Sequence, residues 1–529
     1  MPQELKGAAA VSQEAIFAYL KNSASYNSTV GKVDVIETHG AVIFLAGDFT
    51  YKIKKAIKLP YLDFSTLEKR HYFCQRELEI NQPHAPDIYI GVLAITLEAN
   101  GTLAIGGKGE PVEWSVRMRR FEQKNVFDQL PPTKLLETPL VRKLALAIFN
   151  YHKAAESVVT EDGPQRMNTL IDELLESFHQ SADILPSTEV RKFERLARNT
   201  LETASCSLQL RGKGGFIRRC HGDLHLQNIV LMEDEPVLFD ALEFDEELAT
   251  IDTLYDLAFL LMDLDQCDQA ATANIVLNRY LFHTATPEDI NGLIAMPLFL
   301  SIRAGIRAMV SLDRAAQTLD NPATQEIDQA KQYFTSALNY LKPRAPVLIA
   351  IGGFSGTGKS TLAEKLAGSL FDHAPGLLHL RSDLERKLLF NCPETERLES
   401  ECYTQAVSKQ VYDRLLHKAR MSLTSKQAVI VDAVFSQSQE REMFEKLAQA
   451  LGVPFFGLWL TADEAQIAKR VDARKGDASD ATPEIVHRQV SAGAGRIGWR
   501  EVDASGSKEG SLAKAIAIIK RPEHNTNRC

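Results

Sequence analysis

HGDLHLQNIV, residues 221–230, and the stretch that follows it, FDALEFDEELATIDTLYDLAFL (239–260), decide the fold of the N-terminal part of this chain. A short polar loop carries Asp223 and Asn228 and leads into an apolar run from Ile229 to Met232. A turn at Glu233-Asp234-Glu235-Pro236 and a second apolar run ending in Asp240 complete a hairpin. Three side chains competent for protons or metals, Asp223, Asn228 and Asp240, are thereby expected at one end of it. Phosphoryl transfer needs such a set: a carboxylate to orient the attacking hydroxyl, and an Asn and an Asp to hold magnesium against phosphates. Asp223 is the candidate base, and Asn228 and Asp240 are the candidate metal ligands. Glu243 and Asp245 lie within reach of the same metal or of a substrate. Asp252 and Asp256 are placed to cap the apolar helix that follows and to brace the loop.

The protein-kinase catalytic loop reads H-R-D-L-x-x-x-N, and His221-Gly222-Asp223-Leu224 with Asn228 keeps that spacing. Glycine in place of the Arg, together with Leu254-Tyr255-Asp256-Leu257-Ala258, resembles the aminoglycoside and choline kinase-like branch of that fold. Asp240 is followed by Ala-Leu-Glu rather than Phe-Gly, as is usual in that branch.

The chain upstream has the order this resemblance requires. A short amphipathic helix at 11–21 and a polar loop at 22–30 precede three β-rich runs, VDVIET (33–38), AVIFLAG (41–47) and FTYKIKKAI (49–57). Glycine at 40 and 47 marks the breaks, so an antiparallel meander is expected. Strand alternation puts Lys52 and Lys54 on one face of the third run. A helix from about 64 to 82 follows, then further strands ending in PVEWSVRMRRF (111–121). In the kinase fold a Lys on the third strand pairs with a Glu on the next helix to hold phosphates. The resemblance assigns that pair to Lys52 and Glu77, with Lys54 and Glu79 as alternatives. The chain departs from the protein kinases in lacking a G-x-G-x-x-G phosphate cover. Residues 134–210 and 269–341 read as helical. His152 reads as a packed histidine, RGKGG (211–215) as a basic turn, and Arg303 with Arg307 as an i,i+4 pair on a salt-bridged surface, with a phosphate-facing pair as the alternative.

Leu341-Lys342-Pro343-Arg344-Ala345-Pro346 ends that helical region with two prolines and forms a short connector. VLIAIGG (347–353) then reads as a buried parallel strand. It runs into Gly353-Phe354-Ser355-Gly356-Thr357-Gly358-Lys359-Ser360, a full G-x-x-x-x-G-K-[ST] motif with Thr361 opening a helix. The glycines let backbone N–H groups cradle phosphates, Lys359 reaches the β- and γ-phosphates, and Ser360 binds magnesium. Asp383 ends the strand at 378–383, where residues face the crevice of an open α/β sheet. It is the candidate base on the substrate side, with Arg386 as a substrate clamp. Asp432 ends the next strand as a Walker-B-type carboxylate. Arg470 and Arg474 are candidate lid arginines before the small polar segment 476–481. Residues 346–520 are similar to small P-loop kinases of the gluconate and shikimate kinase, chloramphenicol phosphotransferase and zeta-toxin-like group. The two-part order resembles bacterial fusions of an aminoglycoside phosphotransferase-like domain with an ATP-binding P-loop domain.

The expected architecture is an α+β bilobal kinase-like N-terminal domain followed by an α/β P-loop domain with a mainly parallel sheet. The expected segments are an extension (1–30), a small lobe (31–122), a large lobe (123–341), a linker (342–346), the P-loop domain (347–520) and a tail (521–529). ATP and Mg2+ are the expected cofactors, with GTP as another donor of the same chemistry. Of 529 residues, 45% are hydrophobic and 24% charged, ordinary for a globular chain. A net charge of −9 argues against general nucleic-acid or anionic-membrane binding, and Lys52-Ile53-Lys54-Lys55 stands out as a local candidate anion site. The seven cysteines are scattered without a C-x-x-C pair, against a disulfide framework or a zinc site. No signal-like N-terminus or run of 18 apolar residues appears. The expectation is a cytoplasmic enzyme of small molecules whose oligomeric state the sequence leaves open.

Overall fold

The computed structural model describes residues 11–26, 30–59, 62–317, 323–371, 373–472 and 478–520. The chain divides into two compact units. The first comprises residues 1–135, 150–158 and 216–256, and the second comprises 136–149, 159–215 and 257–529. The second unit therefore takes in helices that precede the connector as well as the P-loop sheet, a division drawn differently from the segments read off the sequence.

The first unit is built on a six-stranded antiparallel sheet. Its strands are β1 (Val33–Glu37), β2 (Ala41–Ala46), β3 (Phe49–Lys54), β4 (Tyr89–Leu97), β5 (Leu103–Ile105) and β6 (Glu110–Arg119), ordered β1-β2-β3-β6-β4-β5. Val42, Phe44 and Ala46 alternate onto one face of β2, and Tyr51 and Ile53 onto the same face of β3. Helix Gln13–Lys21 covers that face with Ile16 and Leu20, so the N-terminal segment belongs to this core. The opposite face of β3 presents Lys52 and Lys54 to helix Leu67–Asn81. Thr66 caps this helix by accepting the Lys69 N–H. Its buried stripe is Arg70, Cys74, Glu77 and Asn81, at helical spacing but almost wholly polar. The hairpin of β7 (Ile229–Met232) and β8 (Glu235–Leu238) turns through Glu233 and Asp234. Both have positive φ, as a tight two-residue hairpin turn demands.

The second unit contains helices Gly163–Gln180, Ser187–Lys213, Ala270–Thr284, Met296–Gln317 and Ala323–Tyr340. The first of these begins at Gly163 with Pro164 in its first turn, and the second begins at Ser187 after Pro186, so the region 134–210 is divided at its prolines. RGKGG differs from its expected turn. The helix runs through Lys213, and Arg211 is buried in an ion pair with Asp289 at 2.9 Å. Arg303 also departs from expectation, since it is buried over the Phe259 ring. Among the described residues, one stretch is long and apolar enough to cross a bilayer, Pro287–Ala316. Some 67% of its most apolar window is buried within the fold, which accounts for its composition as core.

The P-loop sheet has β9 (Leu348–Gly352), β10 (Leu378–Arg381), β11 (Val429–Asp432), β12 (Phe455–Thr461) and β13 (Arg500–Asp503). All neighbours are parallel, in the order β10-β11-β9-β12-β13. The chain steps from central β9 to one side and then to the other, which opens a crevice at the carboxyl ends. Ile349, Ile351, Leu362, Leu366, Ile430 and Leu458 fill the core beneath it.

Phe44→Ala removes a fully buried ring from the first unit's core. It is expected to lower that unit's stability by about 3–5 kcal/mol. A urea transition unmoved from the parent's would contradict this.

Candidate functional sites

In the first unit Glu77 is fully buried and accepts from two lysines, Lys52 at 2.9 Å and Lys54 at 2.7 Å. The two sequence alternatives for the lysine are thus both used. Glu79 instead pairs with Arg76 at 3.2 Å on the surface. Lys52 also reaches Asp240 Oδ1 at 2.5 Å, and Lys54 pairs with Glu243. Burial pulls the Lys52 ammonium down, but Asp240, Glu77 and Glu243 outweigh it and hold the pKa well above its ordinary value. Burial pushes Glu77 up, and the two lysines override it, holding the carboxyl down at about 2. Glu243, a candidate substrate contact, is buried and engaged by Lys54. Asp245 caps helix Glu246–Ala249 by accepting the N–H groups of Glu247 and Leu248.

Asp240 has φ 60°, a left-handed conformation uncommon for a non-glycine residue. Its N–H donates to the Tyr89 hydroxyl at 3.1 Å. The Asn81 Oδ1 accepts the Ala241 N–H at 2.8 Å. Sequence reasoning missed both residues. Asn81 lies four residues beyond Glu77, and that helical spacing was a usable signal. Nothing in the pattern marks Tyr89.

The loop at 221–228 is held from several directions. Asp256 is fully buried. It accepts the Gly222 N–H at 2.9 Å, the His221 N–H at 3.2 Å and a contact from His152 Nε2 at 3.0 Å. This is the brace read from the sequence, with His152 as a buried partner. Gly222 has φ +83°, and a Cβ there would meet Leu242 Cβ at 3.1 Å and Ala249 Cβ at 3.3 Å. An arginine does not fit this position. The Asn228 side-chain amide donates to the Asp223 carbonyl at 2.9 Å and to its Oδ2 at 3.0 Å. His225 Nδ1 accepts the Gln227 N–H, which leaves Nε2 to face Asp223 Oδ2 at 3.2 Å. The Phe239 N–H donates to the Asn228 carbonyl at 3.0 Å, tying the loop 221–228 to the residue before Asp240. A carboxylate and an amide oxygen at one hairpin end form an oxygen donor set of the type that suits Mg2+.

In the second unit, Gly353, Gly356 and Gly358 have φ of 140°, 87° and 96°. This backbone carries the loop from β9 into helix Lys359–Ser369. Lys359 Nζ donates to the Phe354 carbonyl at 3.0 Å, and Thr357 Oγ1 donates to the same carbonyl at 2.8 Å. The Ser355 N–H donates to Gln489 Oε1 at 2.9 Å, a partner the sequence did not signal. A cavity of about 360 Å3 opens beside the loop, lined by Thr357, Gly358, Ser360, Thr361, Arg470 and Lys508 among others. Arg470 donates to the carbonyls of Ala504 at 2.8 Å and Thr357 at 3.4 Å, on the wall of that cavity. Arg474 lies outside the described residues.

Asp432 is buried at the end of β11, in register with Arg381 of β10. His379 Nε2 lies 3.6 Å and Arg381 Nε 3.9 Å from its Oδ2. Burial raises its pKa, but His379, Lys359 and Arg381 together hold it down at about 2. Asp383 is half-buried in the first turn of helix Ser382–Leu389. Arg386 is buried, donates to the Cys402 carbonyl at 2.8 Å and lies over the Tyr403 ring. Those contacts engage the guanidinium within the fold. Asp480, from the small polar segment singled out in the sequence, accepts from the Tyr403 hydroxyl at 2.5 Å and the Leu398 N–H at 3.1 Å, and pairs with Lys387.

These elements define the class, a kinase-like fold followed by a P-loop nucleotide-binding domain. Residues 348–495 match the family described as an AAA domain. The chain is similar to uncharacterized protein Rv2004c of Mycobacterium tuberculosis (strain ATCC 25618 / H37Rv), 29% identical over 494 residues. That match covers 92% of this chain and 95% of the relative. Uncharacterized protein Mb2027c of Mycobacterium bovis matches to the same extent. Among solved structures, Plasmodium vivax ethanolamine kinase is 11% identical with a TM-score of 0.38, covering 62% of this chain and 89% of that one. A gluconokinase from Sinorhizobium meliloti 1021 is 19% identical with a TM-score of 0.25, covering 33% and 93%.

Glu77→Gln leaves two buried lysines short of a partner, and the expected cost is about 3–5 kcal/mol in urea unfolding. The Glu77 carboxyl sits lower in the folded chain than its ordinary 4.5, so its stabilisation is present above that value and is lost as pH falls toward about 2. The parent is therefore expected to weaken across that window more steeply than the variant. Parallel pH profiles would contradict the assignment.

Proposed function

We propose that this chain is a bifunctional ATP-dependent phosphotransferase with one site in each unit. The observation that carries the reading is that each unit has its own lysine and its own acidic groups at the end of its strands. In the first unit, Lys52 would steady the phosphates of the donor. Asp223, oriented by Asn228 and His225, would align the acceptor hydroxyl and take its proton. The acceptor is a small molecule. Asn228 and Asp240 would hold Mg2+, which neutralises phosphate charge when bound. Withdrawal of Asp240 from Lys52 accompanies that role.

In the second unit, the loop 353–361 would receive the donor phosphates, with Lys359 leaving the Phe354 carbonyl to meet them. Ser360 and Asp432 would hold the metal. Asp383 would act as base toward a second metabolite or toward the first product. Arg470 on the cavity wall would contact the nucleotide. GTP would meet the same phosphate contacts as ATP. The enzyme is read as cytoplasmic and acting on small molecules.

The test is transfer of labelled γ-phosphate from ATP into a small-molecule metabolite extract by the parent, Asp223→Asn, Lys359→Ala and the double variant. Each single variant is expected to lose a different product by about a hundredfold or more. Loss of one shared product by both would mean that the sites act in series. Transfer unaffected by Asp223→Asn would make the first unit a nucleotide sensor, and would remove half of the proposal.

A further inference from the structure

We propose that helix Ala270–Thr284, from the helical region upstream of the P-loop segment, is a positioning element of the P-loop site, with Asn278 and Arg279 as its positioning residues. This rests on reading the P-loop site as catalytic. The helix holds three elements on which that site is built. One is the helix that starts at Lys359. A Cβ on its Gly368 would lie 2.8 Å from Ala271 Cα, so the two helices meet backbone to backbone. Arg279 lies 3.9 Å from Glu364 on the same helix.

Another is β10, the edge strand that leads through His379 and Arg381 to Asp383. Its inner side pairs with β11. On its outer side, Asn278 Nδ2 donates to the Leu377 carbonyl at 3.1 Å, and Asn278 Oδ1 accepts the His379 N–H at 2.7 Å. One side-chain amide thus supplies the donor and acceptor that a neighbouring strand would supply, and closes an otherwise open edge. Asn274 continues the contact, donating to the carbonyls of Pro375 at 2.6 Å and Leu377 at 2.9 Å. The last is the segment after helix Ser382–Leu389, where the Arg279 guanidinium donates to Glu394 at 2.8 Å. Arg279 is 4% exposed and Asn274 1%. The grip falls on the backbone of His379, whose ring stands 3.6 Å from Asp432. Phosphate loop, metal carboxylate and candidate base are therefore held in register by a helix from outside the P-loop segment.

The test uses the full chain carrying Asn278→Ala, Arg279→Glu, Glu394→Arg, or the last two together. The Lys359-dependent product is expected to form about tenfold or more slowly at saturating ATP in each single variant. KM for ATP is expected to stay within about twofold, because binding and turnover are separable in this way. The Asp223-dependent product is expected to be unchanged, and the Arg279→Glu/Glu394→Arg pair to recover part of the loss, because Arg142 also faces Glu394 at 3.4 Å and Glu364 faces Arg279. Hydrogen exchange at residues 377–383 gives a readout that needs no turnover and is expected to rise in Asn278→Ala. Unchanged turnover and exchange would overturn the proposal, as would loss of both products together. If Lys359→Ala costs no product, the catalytic reading of the P-loop site fails, and the exchange result alone decides whether the helix positions these elements.

Discussion

The first unit depends on one buried carboxylate shared by two ammonium groups. Glu77 has no exposed surface, and neither charge sign is tolerable alone at that depth. Lys52 and Lys54 come to it because a strand sends alternate side chains to one face. Their remaining bonds run to Asp240 and Glu243. The sheet, the helix Leu67–Asn81 and the segment after the hairpin are thereby joined through a single set of ion pairs. Asp240, the candidate metal ligand, thereby has a defined partner in Lys52.

The two sites use different physical means. In the first, side chains remote in sequence are assembled by packing, and Asp256 fixes the loop 221–228 by accepting two consecutive N–H groups. In the second, a contiguous glycine loop supplies the phosphate cradle from its own backbone, and distant residues add single contacts, Gln489 to the loop's Ser355 N–H and Asp480 to Tyr403. A contiguous motif is legible from spacing. A constellation assembled across a sheet is legible only in outline.

That contrast appears residue by residue. His221, Asp223, Asn228 and Asp240 were readable because one loop and one hairpin fix their relative placement. The Lys and the Glu were readable as a pair of strand and helix positions, but the choice between Lys52 and Lys54 was not. The pattern carries no information on how far each chain reaches, and the structure answers by using both. Helix Leu67–Asn81 was visible as a helix, whereas its buried stripe of Arg70, Glu77 and Asn81 gives no hydrophobic period to identify the inner face. The Arg386 clamp illustrates the converse. Its position beside Asp383 suggests a substrate contact, and only the fold shows that its guanidinium also meets the Cys402 carbonyl and the Tyr403 ring.

By itself, the sequence determined the order of elements, the class of each half and the identity of the phosphate loop. These follow from local rules: alternation in strands, glycine at turns, and backbone N–H groups at a helix start. Tertiary structure alone decided which charges are buried together, which carbonyls and rings the arginines meet, and that Asn278 closes the edge of β10 about a hundred residues downstream. Those outcomes depend on burial and on the free-energy cost of leaving a polar group without a partner. That cost is set by neighbours that come together only when the chain folds.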